Sequence, residues 1–237
     1  MRPTTRKVGA ALSAAGIAAY TAAVFHQDRE NEKNSAKLFS PGSGDEVVKN
    51  GLATGDVVLF NRRWYRYHLP EALCIKAYQQ LMGTDFDHVG VIVCDKYGTP
   101  HVFENSFFGG CTLRPFEQRV LKSKAQQIVV LPLLPRGEKR AEEEEKLAKY
   151  VDSCVARRAN LYHILFPILG FDVILGTFPT RHIVQDCFRL LGIKAQASNG
   201  DRQVTSNQQF LDRKCVLSGT APSLRLGHVV VVVRAAI

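Results

Sequence analysis

The stretch Asp87-His88-Val89-Gly90-Val91-Ile92-Val93-Cys94-Asp95-Lys96-Tyr97-Gly98-Thr99-Pro100-His101-Val102-Phe103-Glu104 decides how the chain is read. Val89 to Val93 is a continuous apolar run, the pattern of a strand buried on both faces. His101 to Phe103 opens its partner across the turn at Asp95-Lys96-Tyr97-Gly98. A loop of Lys96-Tyr97-Gly98 suits the hairpin turn that ends on a left-handed glycine. Asp95 then faces Thr99, Gly90 lies opposite Glu104, and Val93 lies opposite His101. Side chains alternate along strands, so Glu104 shares a face with His88 while His101 points away. A loop one residue shorter or longer reverses that parity and selects His101 instead.

Outward from this hairpin the pattern is α+β. Gly55-Asp56 turns into the apolar strand Val57-Val58-Leu59-Phe60. Leu69, Leu73, Ala77 and Leu81 mark a helix that stops at Gly83. Ile128 to Leu134 and Val229 to Val233 read as further strands. Glu138 to Arg158 reads as a long helix with the stripe Leu147, Ala148, Val151, Cys154 and Val155. A shorter helix is expected after Asp186, closing at Gly192.

Residues 1–36 stand apart from the domain expected over 37–237. Arg2, Arg6 and Lys7 precede an apolar, alanine-rich run from Val8 to Phe25, and the first acid is Asp28. An organellar presequence, a secretory signal and a membrane anchor compete for this segment. Absence of acids beside arginines favours a mitochondrial or membrane-anchored location, with the cytoplasm as the remaining reading. The net charge of +9 is spread over short clusters such as Arg62-Arg63 and Arg157-Arg158. No nucleic-acid motif accompanies it, so an anionic membrane surface or an acidic substrate is the expected partner and nucleic acid is not.

The six cysteines have neither paired spacing nor the density of a disulfide scaffold, and are read as reduced thiols. With the seven histidines they also lack metal-ligand spacing, so no metal or cofactor is expected. Cys154 falls in a helical apolar stripe. Cys74, Cys94, Cys111 and Cys215 sit on flanks, at strand ends or in loops. Cys187 differs, because Asp186 before it suits an N-cap and would place the sulfur in a helix's first turn. There the amide dipoles favour a thiolate and can bind an oxyanion. Asp186 itself acts the other way, since an adjacent carboxylate raises a thiol pKa. His88, at the mouth of a buried strand, is the matching base, and Glu104 the group that orients it.

The order of these segments resembles a known family. Gly55-Asp56-Val57-Val58-Leu59-Phe60, then Asp87-His88-Val89-Gly90-Val91-Ile92-Val93, then Val102-Phe103-Glu104, and later Asp186-Cys187-Phe188 look like the circularly permuted papain-like thiol hydrolases. These form the permuted branch of the NlpC-type superfamily, related to lecithin retinol acyltransferase-like enzymes. Thr112 to Phe116 and Asn207 to Leu211 extend the resemblance. It implies a permuted papain-like α+β fold, a small antiparallel sheet packed against helices. It also implies Cys187 as nucleophile, His88 as base and Glu104 as third member of the triad.

The activity expected is a cysteine-dependent amide or peptide hydrolase working through an acyl-enzyme. Two alternatives stand beside it: a lipid-directed acyltransferase or thioesterase, and a catalytically inactive scaffold. The substrate is accordingly a peptide, an amide or an acyl lipid. Phe166, Ile168, Leu169, Phe171, Ile174 and Leu175 read either as an acyl-binding wall or as an ordinary packed segment.

Overall fold

Val57-Val58-Leu59-Phe60 is apolar toward both faces and is stable only between two covered layers. The computed structural model seats it inside a six-stranded sheet. The structure describes residues 15–27, 29–30, 39–67, 69–106, 110–135, 141–156, 179–197, 215–218, 225–228 and 230–233. The expectations placed on 1–14, on 157–178 and on Asn207 to Leu211 lie outside these residues.

The first described element is helix α1 over residues 15–27, followed by α2 (Gly44–Asn50) and strand β1 (Val57–Arg62). A 3-10 turn (Trp64–Arg66) leads to α3 (Leu69–Met82) and to the hairpin β2 (His88–Cys94) and β3 (Pro100–Ser106). Next come β4 (Gly110–Pro115), α4 (Phe116–Leu121), β5 (Ala125–Leu131), β6 (Leu133–Leu134) and α5 (Ala141–Ala156). Helix α6 (Pro179–Leu190) is followed by β7 (Lys194–Ala197), β8 (Cys215–Ser218), β9 (Arg225–Leu226) and β10 (Val230–Val233). The large sheet runs β10-β5-β1-β2-β3-β4, with every neighbouring pair antiparallel. The fold is α+β, as the sequence led us to expect.

Strand alternation divides the core in two. Val57, Leu59, Val89, Val91 and Phe103 face one layer, which α5 and α6 cover with Leu147, Val151, Ile183, Val184, Cys187 and Phe188. Val58, Phe60, Ile92 and Val102 face the other, covered by Phe116 and Val120 of α4. Each fully buried aliphatic or aromatic side chain contributes roughly 1.5–3 kcal/mol, so both coverings are needed to hold β1 and β2 inside.

The Gly55-Asp56 pair has a mechanical role. Gly55 sits at φ +96°, and a Cβ there would meet Leu133 Cδ2 at 2.7 Å. Asp56 accepts the amides of Ala53 at 2.9 Å and Leu133 at 2.8 Å, tying the start of β1 to the strand beyond it.

Three elements differ from the sequence expectation. Ile128 to Leu134 is not one strand: Pro132 lacks a ladder donor, and the chain breaks into β5 and β6 around it. The helix expected after Asp186 begins instead at Pro179. Helix α3 forms where expected, but Leu69, Leu73 and Leu81 face outward while Ala72, Ile75 and Tyr78 are buried. That helix carries two apolar stripes, and the turn at Trp64–Arg66 sets its rotation through the cluster of Tyr67, Ala72 and Ile75.

The tail is partly joined to the domain. Tyr20 of α1 donates its hydroxyl to the Tyr67 carbonyl at 2.5 Å, and Val24 is buried. Among the described residues no helix is long and apolar enough to cross a membrane.

Candidate active site

Asp87 fixes where the site begins. Its carboxylate accepts the Arg62 amide at 2.9 Å and pairs with the Arg62 guanidinium at 2.5 Å. This clamps the start of β2 to the end of β1, where the ladder is irregular between Asn61 and Arg62. His88 follows and is held in place, buried, with its ring against Phe60.

The hairpin has the register read from its turn: Gly90 pairs with Glu104 and Val93 with His101. Asp95 and Thr99 close the loop through a 3.0 Å amide–carbonyl bond, and Gly98 takes φ +80°. Glu104 therefore lies diagonal to His88 on one face, and its Oε2 is 2.8 Å from His88 Nε2. His101 bonds the Thr99 carbonyl near the turn, away from this pair.

Arg119 completes the arrangement. Its Nε lies 2.7 and 2.8 Å from the two Glu104 oxygens. Helix α4 delivers it, docked by Phe116 and Val120. Burial alone would raise the Glu104 carboxyl, but the His88 hydrogen bond and Arg119 hold it well below the usual carboxylate range. Burial lowers the His88 pKa; Glu104 opposes this through its hydrogen bond and charge, and the charges of Arg62 and Arg119 lower it further. The consistent assignment is a neutral imidazole donating Nε2–H to an ionised Glu104. That leaves Nδ1 as the lone pair that can take a proton.

Cys187 is elsewhere. It lies within α6 rather than in its first turn, fully buried among the residues of the α5–α6 layer. Burial pushes its thiol up, and Asp186, Cys154 and Cys111 push the same way. Asp186 is no N-cap. It accepts the Tyr150 hydroxyl at 3.0 Å and pairs with Arg189 at 3.0 Å. His88 aligns with Phe60 and so belongs to the α4 face of the sheet, whereas Cys187 packs on the opposite face against Val89 and Val91. The structure thus brings His88 and Glu104 together and leaves Cys187 across the sheet. The sequence pattern misplaced it because a second apolar turn, Ile183-Val184, extends the helix backward from Asp186.

Arg119 and the Asp87–Arg62 clamp were not found from the sequence. The only signal for Arg119 is a cation between Phe116 and Val120 in a short apolar helix.

No protein-family model matches the chain, and neither does any curated protein. Among solved structures it is similar to the metalloprotein yiiX from Escherichia coli O157:H7, a DUF1105 protein. The identity is 17%, with 74% of this chain and 96% of that chain covered and a TM-score of 0.41.

Proposed function

We propose that the chain is an amide or ester hydrolase in which His88 is the general base. The observation that carries this is the buried His88–Glu104 pair at 2.8 Å, with Glu104 gripped through both oxygens by Arg119. A hydrogen bond from Nε2 to a carboxylate ionised at neutral pH fixes tautomer and ring orientation, and stabilises the imidazolium formed when Nδ1 accepts a proton. A surface ion pair would supply none of this.

The cysteine-dependent route has no such support, because Cys187 lies on the far face with a raised thiol pKa. The nucleophile in our proposal is a water molecule activated by His88 on the α4 side of the sheet. In this mechanism His88 Nδ1 takes a proton from the water as its oxygen attacks the acyl carbonyl. The imidazolium then protonates the leaving group as the tetrahedral intermediate collapses to the carboxylic acid. The acyl group's parent is a peptide, an amide or an acyl lipid.

A second reading is a non-catalytic scaffold that keeps the His88–Glu104–Arg119 network for stability; the burial of Cys187 favours it. An activated-ester substrate and an iodoacetamide probe separate the readings. We expect the ester to be hydrolysed by the wild type and by Cys187→Ala, and not by His88→Ala. Iodoacetamide labelling at neutral pH that vanishes in Cys187→Ala would restore the cysteine route. Absence of both reactions would leave the scaffold.

A further inference from the structure

We infer that the face formed by the Trp64–Arg66 turn and the outer side of α3 docks onto an anionic lipid bilayer. In a helix of 3.6 residues per turn, positions 69, 73, 76 and 80 share one side. In α3 these are Leu69, Leu73, Lys76 and Gln80, all exposed; the leucines keep 46% and 62% of their surface in water. Trp64 and Tyr65 continue the patch, 39% and 41% exposed and packed edge-to-face at 5.7 Å. Tryptophan and tyrosine on an exposed apolar ridge are the residues that settle at the headgroup level of a membrane.

Charge selects the occupant. Lys76 Nζ stands 6.0 Å from the Trp64 ring, and the Arg63 guanidinium 5.8 Å from the Tyr65 ring. The acid nearest in sequence, Glu71, is tied to Arg62 at 3.5 Å. Cations interleaved with leucine and aromatic side chains suit lipid phosphates and acyl chains together, whereas a protein partner of apolar character would leave the cations unpaired. The N-terminal segment lies on the same side. Tyr20 of α1 bonds the carbonyl of Tyr67, the residue that ends the Trp64–Arg66 turn. Ile17 of that helix is 54% exposed. Residues 1–27 contain no acid, and they carry Arg2, Arg6 and Lys7. The described part of α1 therefore adjoins the patch through Tyr20 and Tyr67. This inference stands apart from the chemistry at His88.

The test uses the full chain and its only tryptophan, Trp64. The protein is mixed with vesicles of phosphatidylcholine alone, or with a third phosphatidylserine, and followed by co-sedimentation and by tryptophan emission. We expect binding and a blue shift with the phosphatidylserine vesicles, weakened by salt and by removing the acidic lipid. Leu69→Glu with Leu73→Glu is expected to lower affinity by about tenfold or more. Lys76→Glu acts in the same direction, and circular dichroism should be unchanged because all three positions are exposed. The inference is overturned if these variants bind as the wild type does, which would assign all binding to the tail. It is also overturned if emission stays constant, or if sedimentation velocity shows a dimer that the leucine variants dissociate, which would make the face a contact between two copies.

Discussion

Phe60 lies directly across from His88 in the β1–β2 ladder, and its ring meets the imidazole at 5.7 Å and the Arg119 guanidinium at 4.2 Å. One aromatic side chain thus supports both groups that grip Glu104. Removing His88, Glu104 or Arg119 leaves a polar group buried without its partner, and that asymmetry sets the size of the first effects.

Glu104→Gln should destabilise the fold by about 3 kcal/mol at neutral pH, because Arg119 and His88 are left with a neutral partner in a dry site. The Glu104 carboxyl titrates lower in the folded chain than its ordinary 4.5. Its contribution is therefore full above that value and lost as the pH falls through the depressed folded pKa. Urea unfolding of wild type and variant should show a wide gap at pH 7 that narrows below pH 4. A constant gap would mean that the carboxylate charge is immaterial.

His88 should stay neutral on acidification through its ordinary 6.5, since burial lowers its pKa. Arg119→Met removes one cation that disfavours the imidazolium, so the His88 ring should titrate at higher pH in that variant. Imidazole proton shifts in a two-dimensional NMR titration measure this directly. An unchanged or lowered midpoint would contradict the assignment of Arg119 to this ring's environment.

Cys187→Ser should cost about 1–3 kcal/mol, because a hydroxyl would replace a thiol among Ile183, Val184 and the β2 valines. Cys187→Ala should cost about 1 kcal/mol. Thermal unfolding read beside ester hydrolysis distinguishes stability from chemistry: both variants should melt earlier and still turn over.

Gly90→Ala places a Cβ 2.6 Å from Val102 Cγ1 and 3.2 Å from the Phe103 carbonyl, on the strand that carries Glu104. Strain of roughly 1–3 kcal/mol should follow. The same shift should loosen the His88–Glu104 contact, so the NMR midpoint of His88 is expected to move along with the melting temperature.

The hairpin was fully legible. Gly98 at the end of a short loop fixed parity, and parity put Glu104 on the His88 side. That argument uses only local turn geometry and alternation, so nothing distant could overturn it. Cys187 was misread for the complementary reason: Asp186 looks like a cap in isolation, but its carboxylate is bound by Tyr150 from α5, far away in sequence. Arg119 was invisible because its value comes from meeting Glu104 across the turn between β4 and α4. The outward leucines of α3 also escaped periodicity, which counts apolar positions and cannot say which of two stripes meets the core.

The sheet order has a consequence for synthesis. Strands β1 to β5 come from residues 57–131 and pair largely with near neighbours, so they can assemble as soon as that stretch is available. The outer flank of β5 is closed only by Val230–Val233, about a hundred positions later. Until those residues arrive, an apolar strand with unsatisfied amides stands open to any other nascent chain. Premature termination before residue 230 should therefore yield a protein that aggregates through β5 while its His88 hairpin is already formed.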